Sequence, residues 1–167
     1  MGSSSSDYHN FVMSGKIAAS GNVNSLLEED EEIARTLSLT EKMYCYNKLF
    51  ADCSSLTQAP ELPATTLATN CYRSMFYNCT SLTTAPKLLA TTLANNCYNS
   101  MFLGCSSLTT APELPATTLA NSCYSEMFNY CSNLSSINVS FTAWEPTNAT
   151  TNWLNRVAAT GTFTCPA

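Results

Sequence analysis

The residues best suited to chemistry are nine cysteines. Eight of them fall at positions 45, 53, 71, 79, 97, 105, 123 and 131, separated alternately by 8 and 18 residues. Thiols in such an array can act as disulfide partners, as soft-metal ligands, or as small apolar side chains. On one helix, positions i and i+8 lie about 12 Å apart, beyond the roughly 7 Å between Cα atoms that a disulfide tolerates. A local bridge is thereby excluded, while equivalent cysteines in neighbouring units could come close enough to pair. No C-x-x-C pair occurs, so the zinc signal is weak. The expected role of Cys45, Cys53, Cys71, Cys79, Cys97, Cys105, Cys123 and Cys131 is therefore that of buried structural thiols, each serving as a small hydrophobe. Disulfides between units and a metal site are the alternatives. Cys165 stands outside the pattern, either free or paired outside this chain.

The other reactive side chains form no constellation. The run Glu28, Glu29, Asp30, Glu31 and Glu32 offers oxygens to Ca²⁺ but lacks the alternating D-x-D-x-D-G spacing, and reads better as a solvated loop or a helix start. His9 is the sole imidazole, and no G-x-S-x-G elbow accompanies it. No enzyme, no metal site and no cofactor are expected. Asn78, Asn133, Asn138 and Asn148 each open a glycosylation sequon, a pattern that chance supplies freely in a chain with 43 Ser and Thr residues. The first six residues, MGSSSS, match the myristoylation pattern and read better as a disordered start or tag remnant; nothing here resembles a signal peptide.

Seven basic against twelve acidic residues give a net charge of −5, and the run 28–32 accounts for all of it. No basic patch exists to release counterions, which disfavours nucleic acid and anionic membrane surfaces. No apolar run approaches the 18 residues or so that a bilayer requires. The 167 residues suffice for one domain, and 45% hydrophobic content suffices for a core, yet only 11% of the chain is charged. A hydroxyl-rich, charge-poor surface is common in extracellular repeat proteins.

A repeat positions the cysteines. Cys53-Ser54-Ser55-Leu56 recurs as Cys79-Thr80-Ser81-Leu82, as Cys105-Ser106-Ser107-Leu108 and, degraded, as Cys131-Ser132-Asn133-Leu134, a period of 26. A unit this short cannot bury its own apolar face, whereas stacked units bury a continuous core, which is the logic of a solenoid. In the second half of each unit the constant positions step i, i+1, i+4, i+5, i+8, as in Cys71, Tyr72, Met75, Phe76 and Cys79. That stripe predicts short helices near 70–78, 96–104 and 122–130. The segment from Leu56 to Leu62 is expected to carry a strand that is short or ends at Pro60, with Pro86 and Pro112 equivalent to it. Glu61, Lys87 and Glu113 share one column, and their alternating sign suits exposed neighbours about 4.8 Å apart.

The expected organisation is a disordered start at 1–7, an N-terminal cap at 8–44, repeats at 45–134 (a half unit and three full units) and a C-terminal cap at 135–167. Short strands are expected at Phe11–Met13, Lys16–Ala18, Ile137–Phe141 and Thr162–Thr164, with a short helix capped by Thr151 that carries Trp153, Leu154 and Val157. The aromatic stripe of Tyr72, Tyr98, Tyr124, Phe76, Phe102 and Phe128 is read as core, with its hydroxyls at the rim. Arg73, Tyr77, Leu103, Glu126 and Tyr130 lie on the variable face.

The block M-F-x-x-C-S-S-L-T, followed by a Pro-ended strand and T-T-L-A-N-x-C-Y, resembles the BspA-like leucine-rich repeats of Bacteroides-type bacteria. Met75-Phe76-Tyr77-Asn78-Cys79 stands where that family has A-F-x-x-C, and the unit is 26 residues against a commoner 23. The resemblance implies an α/β leucine-rich-repeat solenoid of strand-plus-short-helix units with two caps. It also implies exposure at a cell surface or in the extracellular space, and binding of a host protein or glycan, without catalytic residues. The expected binding face is the strand column of Thr57, Glu61, Thr83, Lys87, Thr109 and Glu113. The alternative is a structural module: a phage tail-fibre or decoration domain, made inside a cell, or a spacer in a larger surface protein.

Overall fold

The computed structural model describes residues 15–166. The expected disordered start, the myristoylation pattern, His9 and the Phe11–Met13 strand lie outside the described residues. Within them, residues one repeat apart sit side by side. Gln58 bridges Thr84, Thr66 bridges Thr92 and Thr110 bridges Ser136, all parallel. Two short parallel pairs frame these bridges: β1 (Ile17–Ala18) with β2 (Leu56–Gln58), and β3 (Ser136–Asn138) with β4 (Thr162–Thr164). β2 stops two residues before Pro60, whose missing amide cannot extend the ladder. Beyond it the backbone alternates: Leu62 and Ala64 point into the core, and Glu61 points out.

The segments expected as helices are something else. The described residues hold one α-helix, α1 (Glu31–Thr36), in the N-terminal cap. The stretches 43–52, 69–78, 95–104, 121–130 and 147–156 are continuous runs of turns. Every fourth residue has positive φ: Tyr44, Lys48 and Asp52, then Asn70, Ser74 and Asn78, and so on through Asn152 and Arg156. The stripe that suggested a helix has a period of four, and an α-helix with 3.6 residues per turn would carry it ~40° off its face with each turn. Four-residue turns keep it in line. The helix expected around Trp153 is one more such turn segment.

The amides divide into two sets. Those of Cys45, Asn47, Leu49, Ala51 and Cys53 donate three residues back within their own unit. Those of Tyr44, Tyr46, Lys48, Phe50 and Asp52 donate to the carbonyls of Thr69, Cys71, Arg73, Met75 and Tyr77 in the next unit, at 2.7–3.3 Å. The same division recurs in the following units, ending with Tyr124, Glu126, Phe128 and Tyr130 donating to Ala149, Thr151, Trp153 and Asn155. Backbone groups that would otherwise be orphaned in the core are thus satisfied without helix.

Identical side chains stack along this axis. Tyr46, Tyr72, Tyr98 and Tyr124 have ring centroids 5.5–5.9 Å apart. Phe50, Phe76, Phe102 and Phe128 stack at 5.6–5.8 Å. Leu56, Leu82, Leu108 and Leu134 form a buried column on the strand side. At the C-terminal end Phe141 and Trp153 close over Tyr124. At the N-terminal end the buried Asn24 accepts a hydrogen bond from the Tyr46 hydroxyl at 3.0 Å and donates to the Ala34 carbonyl at 2.9 Å. The acidic run starts α1, with the Asp30 carboxylate accepting from the amides of Glu32 and Ile33.

The tyrosine hydroxyls differ from expectation. Those of Tyr72 and Tyr124 are not at a rim but buried without a partner. Removing an unsatisfied buried hydroxyl is nearly neutral or stabilising, whereas a satisfied one contributes about 1 kcal/mol. Tyr72→Phe is expected to leave the urea midpoint unchanged or raise it, and Tyr46→Phe to cost about 1 kcal/mol. Gly104, at φ 78°, faces the Asn78 side chain, which in turn donates to Asp52 at 3.0 Å. Gly104→Ala adds left-handed backbone strain and pushes Asn78 off Asp52, so a loss of about 1–2 kcal/mol is expected in urea unfolding.

Candidate functional site

The strand side of the stack carries a groove of about 770 Å³ between the first two full units and the N-terminal cap. This falls within the volume range of small-ligand and peptide-segment sites. Thr57, Glu61, Thr83 and Lys87 line it, together with Arg35, Gln58, Thr84 and Leu89. The structure thus brings together four of the six residues expected on the binding face. Thr109 and Glu113 are exposed but lie outside the groove. Thr57 is only half available, because its hydroxyl donates to the Ile17 carbonyl at 2.9 Å.

The groove is amphipathic. Its floor holds Ala59, Pro60, Leu62 and Ala85, and its rim holds the charges. Arg35, from α1, lies 3.4 Å from Glu61, with both side chains more than half exposed. A pair this open contributes little to stability, but it places a cation of the cap beside the repeat face. Sequence reasoning missed Arg35, since the cap lies outside the repeat frame and nothing in its spacing points to the groove. It also passed over Leu89, which a comparison of units reveals: the other two full units have Pro63 and Pro115 there. Lys87 forms no ion pair among the described residues.

The variable turn face is engaged in contacts of its own. Glu126 accepts a hydrogen bond from Ser100 at 3.3 Å, and the Arg156 guanidinium lies 4.7 Å above the Tyr130 ring. Arg73 is exposed, while Tyr77 and Leu103 are half-buried.

No protein-family model matches the chain, nor does any curated protein or solved structure.

The cysteine columns run through the core beside the aromatic ones. Seven of the eight are buried; Cys45, at the N-terminal end, is half-buried and Cys165 exposed, and all nine are free thiols. The Cys79, Cys105 and Cys131 thiols donate to the carbonyls of Phe50, Phe76 and Phe102 in the preceding unit at 3.0–3.1 Å. Each thiol therefore links units without a covalent bond. Among the described residues no cluster of three or more ligating side chains could hold a metal, and no helix is long and apolar enough to cross a membrane.

Burial pushes the Cys45, Cys79 and Cys131 thiols up to about 12, from an ordinary 9.0. It also raises Cys53, Cys71, Cys97, Cys105 and Cys123. The thiolate is the nucleophile, so these groups are inert in the folded chain. A thiol-reactive chromogen at pH 8 is expected to label one site quickly, Cys165, and nine after denaturation. Because folding holds these protons more tightly, the stability linked to them is fully present below about pH 9. Above that the unfolded thiols ionise and it is lost, up to about 1.4 kcal/mol per pH unit for each thiol, as pH rises towards the folded values. The column tyrosines, also raised by burial, steepen the loss above about pH 10. Urea midpoints measured from pH 7 to 10.5 should fall in that order.

Proposed function

We propose that this chain is a non-catalytic binding module of leucine-rich-repeat type, a solenoid in which turn segments stand in place of short helices. Its groove takes an extended segment of an extracellular protein or a glycan at a bacterial cell surface. The observation that carries this reading is the groove itself: a concave, half-apolar surface with charges of both signs on its rim, built from the strand side of two adjacent units and the cap. The side chains there do not interlock into a catalytic arrangement; they present hydroxyls, one free cation and apolar floor residues to a ligand lying across the units. The resemblance of the repeat to BspA-like sequences supports the same assignment, as does the low charge of the rest of the surface.

The test is a binding screen of the folded chain against host matrix proteins, mucin and bacterial polysaccharides, with heat-unfolded chain as control. A saturable, fold-dependent partner is expected. Against it, the double variant Glu61→Ala/Lys87→Ala should weaken binding tenfold or more, while Glu113→Ala, outside the groove, should change it less than threefold. Equal effects of the two variants would remove the groove as the site. No partner across the panel would shift the assignment to a structural module.

A further inference from the structure

From Leu56 to Ala68 the three full units read LTQAPELPATTLA, LTTAPKLLATTLA and LTTAPELPATTLA. The second unit departs from both neighbours at two positions only, Lys87 for Glu and Leu89 for Pro. Neither change serves the core, because Leu88 and Ala90 are buried while Lys87 and Leu89 are exposed, Leu89 at 46%. Residues two apart on an extended backbone point to the same side, and both of these line the groove. The unit that deviates thus places a cation and a large apolar side chain next to each other on the open face, in a molecule with little exposed charge. An exposed leucine where the repeat frame supplies proline costs folding nothing obvious and gains nothing inside the fold; its partner must come from outside.

Resting on the binding-module reading, we infer that the groove recognises an extended acidic–apolar peptide segment, with an Asp or Glu carboxylate against Lys87 and an apolar side chain two residues away against Leu89. Charge complementarity favours the carboxylate: Arg35 is engaged by Glu61, which leaves Lys87 as the cation free to pair. The two-residue pitch of an extended ligand matches the spacing of Lys87 and Leu89, and the groove's apolar floor suits such a chain. A neutral glycan would use neither feature.

The test uses fluorescein-labelled decapeptide pools, measured by fluorescence anisotropy with the full chain. One pool carries Asp or Glu two residues from Leu, Ile or Phe, in both orders; control pools replace the acid by Gln or the apolar residue by Ser. Saturable binding of the first pool, at least tenfold tighter than either control and weakened by salt, is expected. The variant Lys87→Glu/Leu89→Pro gives this stretch of the second unit its neighbours' sequence and should abolish that preference. Lys87→Gln, which adds no like charge to the column, should retain the apolar preference and lose the acidic one. Unchanged thermal unfolding of Lys87→Gln shows that the loss is one of recognition. Equal binding of all pools, or full retention by the double variant, would overturn the inference. If a polysaccharide or mucin binds while no peptide does, this inference falls and the binding-module reading stands; if nothing binds, both fall.

Discussion

The cross-unit hydrogen bonds of the turn segments are the constraint from which the rest of the structure follows. They fix each unit against the next in a register of 25 residues between donor and acceptor, which places every side chain against its own counterpart one repeat away. A position can then hold only a residue that tolerates its own kind at 5.5–6 Å. Flat rings do, stacked nearly parallel; thiols do, each reaching a carbonyl of the unit before; leucines do. Like charges do not, which accounts both for the scarcity of charge in the repeats and for the alternating sign of Glu61, Lys87 and Glu113.

The same constraint explains which parts of the structure could be read from the chain. The 26-residue period and the constant columns of Cys, Tyr, Phe and Leu are visible in the sequence because self-stacking demands them. The short strand ending before Pro60 was legible for the same reason, through the proline's missing donor. The local conformation of 70–78 was not. An apolar stripe stepping by four fits a short helix and a run of four-residue turns nearly equally over nine residues. What separates them is left-handed backbone at Asn70, Ser74 and Asn78, residue types that are permissive there but equally ordinary elsewhere. Positions such as Lys48, Glu126 and Arg156 adopt the same φ with no compositional sign of it; the cross-unit bonds impose it.

The groove shows a different limit. Thr57, Glu61, Thr83 and Lys87 were accessible to sequence reasoning because they repeat, while Arg35 belongs to a cap that occurs once. Repetition exposes what the core requires. Function in such an architecture resides where repetition fails, and the departures at Lys87 and Leu89 carry more information about recognition than all the constant positions together. The buried thiols are the converse: chemically versatile in type, made inert by the columns that contain them.

The bonds that join the turn segments all run one way, each N–H pointing towards the C-terminal end. The peptide dipoles on that side of the molecule therefore add rather than cancel, as they do along a helix, but with the opposite sense relative to the chain: the positive pole is the C-terminal one. There the series stops, and the amides of Thr150, Asn152, Leu154 and Arg156 have no further unit to receive them among the described residues. The molecule thus carries a built-in electrical direction that its sparse charged side chains do little to mask.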